Sequence, residues 1–348
     1  VRPTFMGKNV KRQFPKPSEL APLLQFSLPT LRRKKRRLEK AYTIWDLRDI
    51  AKKRTPKGPF DYTDGSAESE VSLERARQAY RDLEFIPSIL KDVSTADLTR
   101  TALGESFAMP LGIAPTGFTR MMQTEGEIAG ARAAEKYNIP YTLSTLGTTT
   151  IEKVVESAPT GANWFQLYMW KDREGSMALV ERAKNAGVKT LMLTVDVPVA
   201  GQRTRDYRNG LTVPPRLTAG TILNAIPKPA WWMNFLTTPP IEFASMKNWE
   251  GTVGELLDYM FDPTMTWEDL KWIRQQWDGN LIVKGIQNLE DGKKAAEIGA
   301  DAILLSNHGG RQLDGAISSI QALPGIVDAV GKDIEVWMDG GIRSGQDV

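Results

Sequence analysis

Most of the chain after residue 100 repeats one pattern, in which a short apolar run is followed by a stretch with helical periodicity. The apolar runs occupy residues 111–114, 141–143, 164–167, 190–195, 281–283, 302–305 and 336–338, and helical patterns cover residues 125–137, 174–186, 267–277 and 290–298. Continuous apolar strands that alternate with helices are typical of a parallel sheet covered on both faces. No Gly-x-Gly-x-x-Gly turn opens the first helix, so the pattern predicts an α/β fold of the (β/α)8 barrel type rather than a doubly wound sheet.

A polar residue or a glycine closely follows each of these runs. The residues concerned are Pro115, Thr116 and Gly117, Ser144, Gln166 and Tyr168, Thr194 and Asp196, Lys284, Ser306 and His308, and Asp339, Gly340 and Gly341. The carboxyl ends of all strands in a barrel meet at one face, where the active sites of such barrels lie. The pattern therefore predicts one pocket that contains hydroxyls, carboxylates, a lysine and a histidine.

Residues 306–315 contain the side chains of the sequence that are best suited to catalysis. His308 is the only histidine of the chain, and histidine is the side chain that exchanges protons most readily near neutral pH. Arg311 adds a planar cation that suits a carboxylate, and Gly309 and Gly310 allow a ligand to approach the backbone closely. A base next to an anion clamp indicates chemistry on a small acid, although the residues alone leave open a purely structural histidine.

The composition excludes several kinds of chemistry. With no cysteine and one histidine among 348 residues, the chain has no thiolate nucleophile or iron–sulfur ligand and lacks the ligands of most zinc and copper sites, so no metal is predicted. Charges of both signs are spread along the sequence with a net charge of +3, which argues against a nucleic-acid partner. No apolar run approaches the roughly 20 residues of a membrane-spanning helix, and the amino end has no signal-peptide core, so a cytoplasmic location is expected.

The patterns predict two regions. Residues 1–95 are expected to form a basic and helical segment that packs on the barrel, and residues 96–348 to form the barrel itself. Thr43 is predicted to cap a helix over residues 44–50. Residues 60–65 are predicted to break that helix and to place Tyr62 in a turn, before a second helix over residues 70–83.

Two further features bear on interactions. The basic run at residues 32–37 is typical of a solvated face or tail, and its alternative is attraction to anionic lipid headgroups. Residues 197–265 form a long insert after the fourth strand, which is typical of a lid over an active face. Within it, Trp231 and Trp232 either pack on the barrel wall or form an amphipathic patch that rests on a membrane or a partner.

Several motifs together resemble a known family. Residues 306–315 are nearly identical to the signature of the FMN-dependent α-hydroxy-acid dehydrogenases and oxidases, and residues 113–117, 164–168, 194–196 and 339–341 are similar as well. The resemblance extends from about Pro17 to the last residue. Residues 20–26, 231–232, 236–239 and 251–254 resemble the branch of bacterial quinone-dependent L-lactate dehydrogenases.

The resemblance implies a reaction and an FMN cofactor. L-lactate would be oxidised to pyruvate, and the electrons would pass to a quinone. His308 would take the proton of the substrate hydroxyl while hydride passes from the α-carbon to flavin N5, or would take the α-proton in a carbanion version of the reaction. Asp196 would orient His308 and stabilise its cation. The substrate would be held at its hydroxyl by Tyr168 and at its carboxylate by Arg311, Tyr62 and, from the insert, Arg203.

The resemblance also implies a cofactor-binding set. Lys284 would lie beside the N1 and O2 edge of the flavin, where a positive charge stabilises the anionic reduced ring. The ring would be lined by Pro115, Thr116, Gly117, Ser144, Gln166 and Thr194, the ribityl chain held by Asp339, and the phosphate held by Gly341 and Arg343, with Ser306 and Gly340 in the same set.

Three positions qualify these expectations. Leu146 stands where many members have a tryptophan, so no substrate-packing role is assigned there. Gly117, where oxidase relatives often carry alanine, favours a dehydrogenase over an oxidase. The chain ends at Val348, before the eighth strand of a barrel, and we therefore expect it to be a fragment of a longer protein.

Alternatives remain open at this stage. One is an oxidase or dehydrogenase of another 2-hydroxy acid, such as glycolate or mandelate. Another, from a different class, is a non-catalytic protein that binds anions or membranes through residues 32–37. The resemblance further implies peripheral association with the cytoplasmic face of the cell membrane and assembly as a homo-oligomer, a tetramer in the family.

Overall fold

The computed structural model describes residues 16–20, 33–210, 212–213, 218–245, 251–252, 255, 258 and 260–348. The chain divides into two compact units, Val1–Tyr42 and Thr43–Val348. In the first unit, α1 spans Pro17–Leu20 and α2 spans Arg33–Leu38, with Lys35 and Arg36 of the basic run exposed. Most of segment 20–26, and residues 253 and 254, lie outside the described residues. The predicted boundary near residue 95 stays a prediction.

Three helices open the second unit: α3 spans Ile44–Arg54, α4 spans Lys57–Asp64 and α5 spans Val71–Arg81. The predicted cap is confirmed, because Thr43 and Asp46 form a reciprocal capping box at the start of α3. The predicted turn at residues 60–65 is wrong, because Tyr62 lies on α4. Pro59 falls in the first turn of that helix, where N–H groups have no acceptor within the helix, so this proline does not break it.

A parallel sheet forms the centre of this unit. A hairpin of β1, Arg100–Ala102, and β2, Glu105–Phe107, precedes it. The strands of the sheet are β3, Tyr141–Ser144; β4, Asn163–Tyr168; β5, Thr190–Thr194; β8, Asn280–Ile286; β9, Ala302–Leu305; and β10, Glu335–Met338. Their spatial order is β10-β9-β8-β5-β4-β3, with every pair parallel. The short strands β6, Thr212–Val213, and β7, Gly251–Thr252, pair separately in the insert.

The first predicted strand is reduced to one position. Of residues 111–114, only Ile113 makes a bridge, and it runs parallel to Tyr141 at the outer edge of β3. Pro110 and Pro115 flank this run and lack the N–H that a longer ladder requires. The other six predicted strands are confirmed, and the sequential parallel order is that of a (β/α)8 barrel. Among the described residues, the outer edge of β10 pairs with no further strand.

Helices cover the outside of the sheet. They are α6, Thr119–Met122; α7, Gly126–Tyr137; α8, Ile151–Ser157; α9, Arg173–Asn185; α13, Trp267–Gln276; α14, Leu289–Glu297; and α15, Ser319–Val330. Side-chain caps begin several of them, at Thr150, Asp172, Thr266 and Asn288. The strands between them are apolar on both faces, and all of β5 and β9 is buried. The core therefore lies between the sheet and the helices, and its polar edge lies at the carboxyl ends of the strands.

The insert crosses the carboxyl ends of the strands. Its described helices are α10, Thr204–Asn209; α11, Ala219–Ala225; and α12, Pro229–Leu236. The returning chain is anchored where the N–H of Ala244 donates to the carbonyl of Gly147 at 3.0 Å. Phe243 is buried there edge-on against Phe118, with ring centroids 4.2 Å apart. No helix in the described part of the chain is long and apolar enough to cross a membrane.

Ion pairs connect the amino-terminal helices to the insert. Arg48 on α3 pairs with both carboxylate oxygens of Asp64 at the end of α4. The same carboxylate accepts from Arg205 on α10 at 3.2 Å. Burial alone raises the pKa of Asp64, but the hydrogen bonds and charges of Arg48 and Arg205 outweigh it, so the pKa lies below its ordinary value.

This pairing predicts a pH-dependent contribution to stability. A carboxyl whose pKa is lowered by folding stabilises the fold above its unfolded pKa of about 3.9, and that stability is lost as the pH falls towards the folded pKa. Asp64→Asn is expected to lower Tm at neutral pH, and the difference from the unmodified chain should shrink below about pH 4. Asp49→Asn, at an exposed partner 3.9 Å from the same arginine, is the control. A Tm difference that stays constant from neutral pH down to about pH 3 would contradict this account.

Candidate active site

The turn after β9 brings His308 to the open end of the sheet. Ser306 follows the strand, and its hydroxyl accepts from the backbone N–H of His308 at 3.0 Å. His308 has a φ of 58°, in the left-handed region. The predicted close approach at Gly310 is made by protein rather than ligand: a Cβ there would lie 3.0 Å from the backbone nitrogen of Leu73 on α5. This glycine therefore lets the turn pack on α5.

His308 and Asp196 form a hydrogen-bonded pair, with Nδ1 3.0 Å from Oδ1. An ionised carboxylate only accepts, so Nδ1 carries the hydrogen and the lone pair of the neutral ring lies on Nε2. Nε2 is 3.3 Å from the hydroxyl of Tyr168 at the end of β4. Burial raises the pKa of Asp196, but the charges of His308 and Lys284 outweigh this effect and keep that pKa below its ordinary value. The pair thus presents a proton acceptor backed by a carboxylate.

Lys284 is the buried cation of the site, with only 4% of its side chain exposed. Its ammonium donates to the hydroxyl of Ser306 at 2.6 Å and lies 3.0 Å from Asp339 Oδ2. Burial lowers the pKa of Lys284, but the charges of Asp339 and Asp196 outweigh it and raise the pKa above its ordinary value. Gly285, at a bulge in β8, has a φ of 115°, and a Cβ there would clash with Asp196. A glycine at this bulge therefore allows Lys284 and Asp196 to lie side by side.

Two arginines converge on the ring of Tyr62. The guanidinium carbons of Arg311 and Arg203 lie 4.9 and 5.4 Å from its centroid. Arg311 is held by the carbonyls of Tyr62 and Gly65, to which Nη1 donates at 2.7 and 2.8 Å. Burial and the charge of Arg203 lower the pKa of Arg311. Nη1 of Arg203 is buried and has no hydrogen-bond partner among the described residues. Two neighbouring cations with an unused donor fit a carboxylate ligand.

A polar wall lies across the ends of three neighbouring strands. Ser144 Oγ donates to Gln166 Oε1 at 3.2 Å, and Gln166 Nε2 donates to Thr194 Oγ1 at 2.9 Å. All three side chains are buried. Pro115, Thr116 and Gly117 follow the Ile113 bridge, and Thr116 is exposed. A Cβ on Gly117 would lie 2.8 Å from Cβ of Leu146, so alanine at this position requires a shift of the neighbouring loop.

The loop after β10 completes the set of predicted residues. Gly340 and Gly341 follow Asp339, and the carbonyl of Gly340 accepts from the hydroxyl of Tyr80 at 3.2 Å. Burial and the nearby charges of Asp347 and Asp339 raise the pKa of Tyr80 to about 12. Arg343 lies with its guanidinium carbon 5.8 Å from the ring of Trp45. Burial and the charge of Arg77 lower the pKa of Arg343, and its phosphate contact stays a prediction.

The fold and this geometry define a class of protein. The structure brings His308 together with Asp196 and Tyr168, and it brings Lys284 together with Ser306 and Asp339. A proton acceptor beside an anion clamp, at the carboxyl end of a parallel barrel, is the arrangement of an enzyme that acts on a small acid.

Comparison with known proteins agrees with that class. The FMN-dependent dehydrogenase family matches residues 51–348. A putative L-lactate dehydrogenase of Mycobacterium tuberculosis is 55% identical over 97% of this chain and 82% of its own length. An L-lactate dehydrogenase of Vibrio cholerae is 42% identical over 87% of this chain and 82% of its own length. The chain therefore belongs to the FMN-dependent dehydrogenase family.

Solved structures place the fold in the same group. The monotopic membrane protein (S)-mandelate dehydrogenase superposes with a TM-score of 0.84 at 36% identity, over 88% of this chain and 83% of that one. A mandelate oxidase superposes with a TM-score of 0.76 at 36% identity, over 88% and 81% of the two chains.

The described residues fit FMN. The polar wall of Ser144, Gln166 and Thr194 suits the edge of a flat ring that carries both donors and acceptors. Lys284 supplies a positive charge, and the buried Oδ1 of Asp339 has no hydrogen-bond partner among the described residues, so it can accept from a hydroxyl. The carboxyl ends of these strands therefore match the chemistry of a flavin.

Some residues of the site were not predicted from the sequence. Asp206 forms an ion pair with Arg203 at 3.7 Å, and burial raises the pKa of Asp206 despite the charges of Arg203 and Arg311. Asp64 and Glu70 pair with Arg205. The sequence signal for this network is the cluster of three charged residues at Arg203, Arg205 and Asp206. Its partners are more than 130 residues away, so spacing along the chain does not reveal them.

Proposed function

We propose that this protein oxidises L-lactate to pyruvate, with FMN as its cofactor. The observation that carries the proposal is the position of Nε2 of His308, which faces Tyr168 while its Nδ1 is held by Asp196. The relatives named L-lactate dehydrogenase support lactate as the substrate. The bound flavin supplies an acceptor for the hydride of the substrate.

Different residues of the site bind the carboxylate, take the proton and donate a hydrogen bond. The carboxylate of the acid binds between Arg311 and Arg203, where two cations and an unused donor converge. The hydroxyl group of the acid lies beside this pair, within hydrogen-bond reach of both the Tyr168 hydroxyl and Nε2 of His308. Nε2 takes the hydroxyl proton, and Asp196 stabilises the imidazolium that forms. Tyr168 donates a hydrogen bond and keeps its own proton, because burial and the charge of Asp196 raise its pKa well above the ordinary value.

A second substrate is favoured by the solved structures, since the superposed proteins are named for mandelate. The two acids differ in the group beside the α-carbon, a methyl in lactate and a phenyl in mandelate. L-lactate is placed first because the relatives that match 87–97% of this chain are named for it.

The test of the function is an anaerobic visible spectrum of the purified protein before and after the addition of L-lactate, (S)-mandelate or glycolate. We expect L-lactate to bleach the flavin band at a lower concentration than either of the other two acids. Preferential bleaching by (S)-mandelate would assign the second substrate. A bound flavin that none of the three acids reduces would refute 2-hydroxy-acid oxidation.

The electron acceptor is proposed to be a quinone that the protein reaches at a membrane surface. Trp231 is half-buried and donates from its indole nitrogen to the carbonyl of Met121 at 2.8 Å, so this tryptophan packs on the protein. Other apolar side chains of α11, its C-cap and α12 are exposed: Ile222, Leu223, Ile226, Met233 and Leu236. Groups of exposed apolar side chains mark surfaces that bind a partner or a membrane, and we propose that this group enters a lipid interface. We also propose that the protein associates with the cytoplasmic face of the membrane and assembles as a tetramer.

Membrane association predicts a measurable loss. Leu223→Ser together with Leu236→Ser is expected to reduce cosedimentation with liposomes about tenfold or more, because two exposed leucines no longer enter the apolar layer. The matched control is Leu313→Ser, at an exposed leucine outside these helices. Equal cosedimentation of the double variant and the control would contradict this membrane surface.

A further inference from the structure

Helix α10 of the insert is joined to α4 and the loop after it by polar contacts. The side-chain amide of Asn209 donates to Asp61 at 2.9 Å, and its oxygen accepts from Lys57 at 3.0 Å. At the other end of α10, the hydroxyl of Thr204 donates to the carbonyl of Glu68 at 2.6 Å. The clamp consists of Arg203, from the insert, and Arg311, which the α4 segment holds. The two segments that position the clamp are thus joined to each other.

Arg205 lies at the centre of these contacts. Its two terminal nitrogens donate separately, one to Asp64 at 3.2 Å and the other to Glu70. Its stem lies over Gly65, because a Cβ on that glycine would be 3.0 Å from Cδ of Arg205. The carbonyl of Gly65 is one of the two acceptors that hold Arg311. Arg205 therefore contacts the segment whose carbonyl supports Arg311.

Arg203 depends on α10 for its placement. It precedes the helix at the N-cap position, and its ion pair with Asp206 on the same helix is 3.7 Å long. Its Nη1 has no hydrogen bond among the described residues. Arg311, by contrast, is held by two backbone carbonyls outside the insert. One cation of the clamp is thus held by the backbone carbonyls of Tyr62 and Gly65. The backbone beside the other is held by Glu68, whose N–H donates to the carbonyl of Gln202 at 2.8 Å, and the guanidinium of Arg203 pairs with Asp206 of α10.

We propose that Arg205, through Asp64 and Glu70, is a positioning residue that holds α10 where Arg203 can bind the substrate carboxylate. This inference deepens the proposed function and rests on it. The acids keep other partners when Arg205 is absent, because Arg48 still pairs with Asp64 and the N–H of Ser66 still donates to Glu70 at 3.0 Å. Loss of Arg205 is therefore expected to loosen the middle of α10, while Thr204 and Asn209 still hold its ends and the barrel stays intact.

The expected consequence is weaker binding with little change in chemistry. If loosening of α10 leaves Arg203 in place about one tenth of the time, the apparent dissociation constant of an anion rises about tenfold. In the part of the chain that the structure describes, no hydrogen bond joins His308, Asp196 or Tyr168 to α10. The proton transfer is therefore expected to be unaffected once the acid is bound. A raised KM with an unchanged kcat would indicate weaker binding alone, whereas a general loss of structure would lower kcat as well.

The experiment compares Arg205→Gln with Arg205→Lys and with a matched control. KM and kcat are measured with L-lactate, and the dissociation constant of oxalate, an unreactive carboxylate probe, is measured by calorimetry on the FMN-loaded protein. Arg182→Gln is the control, because Arg182 forms a similar two-bond pair with Glu152 between α8 and α9, away from the site. Glu70→Gln, alone and combined with Arg205→Gln, tests whether the two residues act as one unit, since glutamine keeps the acceptor for Ser66.

Arg205→Gln is expected to raise KM for L-lactate and the dissociation constant of oxalate about tenfold, with kcat changed less than about twofold. Arg205→Lys should recover part of the affinity, because lysine keeps the charge but cannot reach both acids in the same way. The combined variant should be no worse than Arg205→Gln alone. Unchanged oxalate binding in Arg205→Gln, additive effects of the two substitutions, or an equal effect of Arg182→Gln would each overturn the proposal. If L-lactate fails to reduce the flavin of the unmodified protein, the proposed function fails, and the oxalate measurements still decide the role of Arg205.

Discussion

Replacement of His308 with asparagine is expected to slow reduction of the flavin by L-lactate about 10²–10⁴-fold while the flavin stays bound. The physical reason is that Nε2 is the proton acceptor nearest to Tyr168, and Asp196 holds the ring so that this nitrogen carries the lone pair. An amide cannot take the hydroxyl proton. The residues that fit the flavin, including Lys284 and Gln166, are left unchanged.

Asparagine is chosen because of the backbone. His308 has a φ of 58°, and asparagine adopts this left-handed region more easily than most residues. The measurement is anaerobic stopped-flow reduction, with the flavin content of each preparation taken from its visible spectrum. Arg182→Gln serves as the control for an unrelated substitution. Flavin reduction in His308→Asn at the rate of the unmodified protein would exclude His308 as the base.

Replacement of Lys284 with methionine is expected to lower the free energy of unfolding by about 3 kcal/mol, because it leaves the half-buried carboxylate of Asp339 without its cation. Asp339 Oδ2 lies 3.0 Å from the ammonium, and its other oxygen already lacks a partner among the described residues. The same substitution removes the positive charge that we propose to stabilise the reduced flavin. Flavin retention and the flavin reduction potential should therefore both fall.

A double variant separates the effect of the unpaired Asp339 charge on stability from the effect of the Lys284 charge on the flavin. Lys284→Met combined with Asp339→Asn removes both charges and should recover much of the lost stability, because no unpaired carboxylate remains. Its flavin potential should stay low, since the cation is still absent. Urea unfolding and potentiometric titration of the bound flavin provide the two readouts. Equal stability of Lys284→Met and the unmodified protein would show that this pair does not contribute to the fold.

Much of the site could be predicted from the sequence because barrel geometry is regular. Residues that directly follow consecutive parallel strands end at one face whatever their distance along the chain. Ser144, Gln166 and Thr194 were predicted together on this basis, and the structure joins them by hydrogen bonds. The pairing of Lys284 with Asp339 lies at the same face for the same reason.

The sequence by itself determined the order of strands and helices, the single histidine with its neighbouring arginine, and the absence of cysteine chemistry. These follow from local periodicity and composition, which do not require knowledge of distant contacts. Only the tertiary structure decided that Tyr62 lies on a helix, that Gly310 packs against α5, and that Arg205 pairs with Asp64 and Glu70. Those features depend on how the insert and the amino-terminal helices meet over the barrel. Contacts between such distant segments are set by packing and charge pairing in space, for which the spacing of residues along the chain carries no signal.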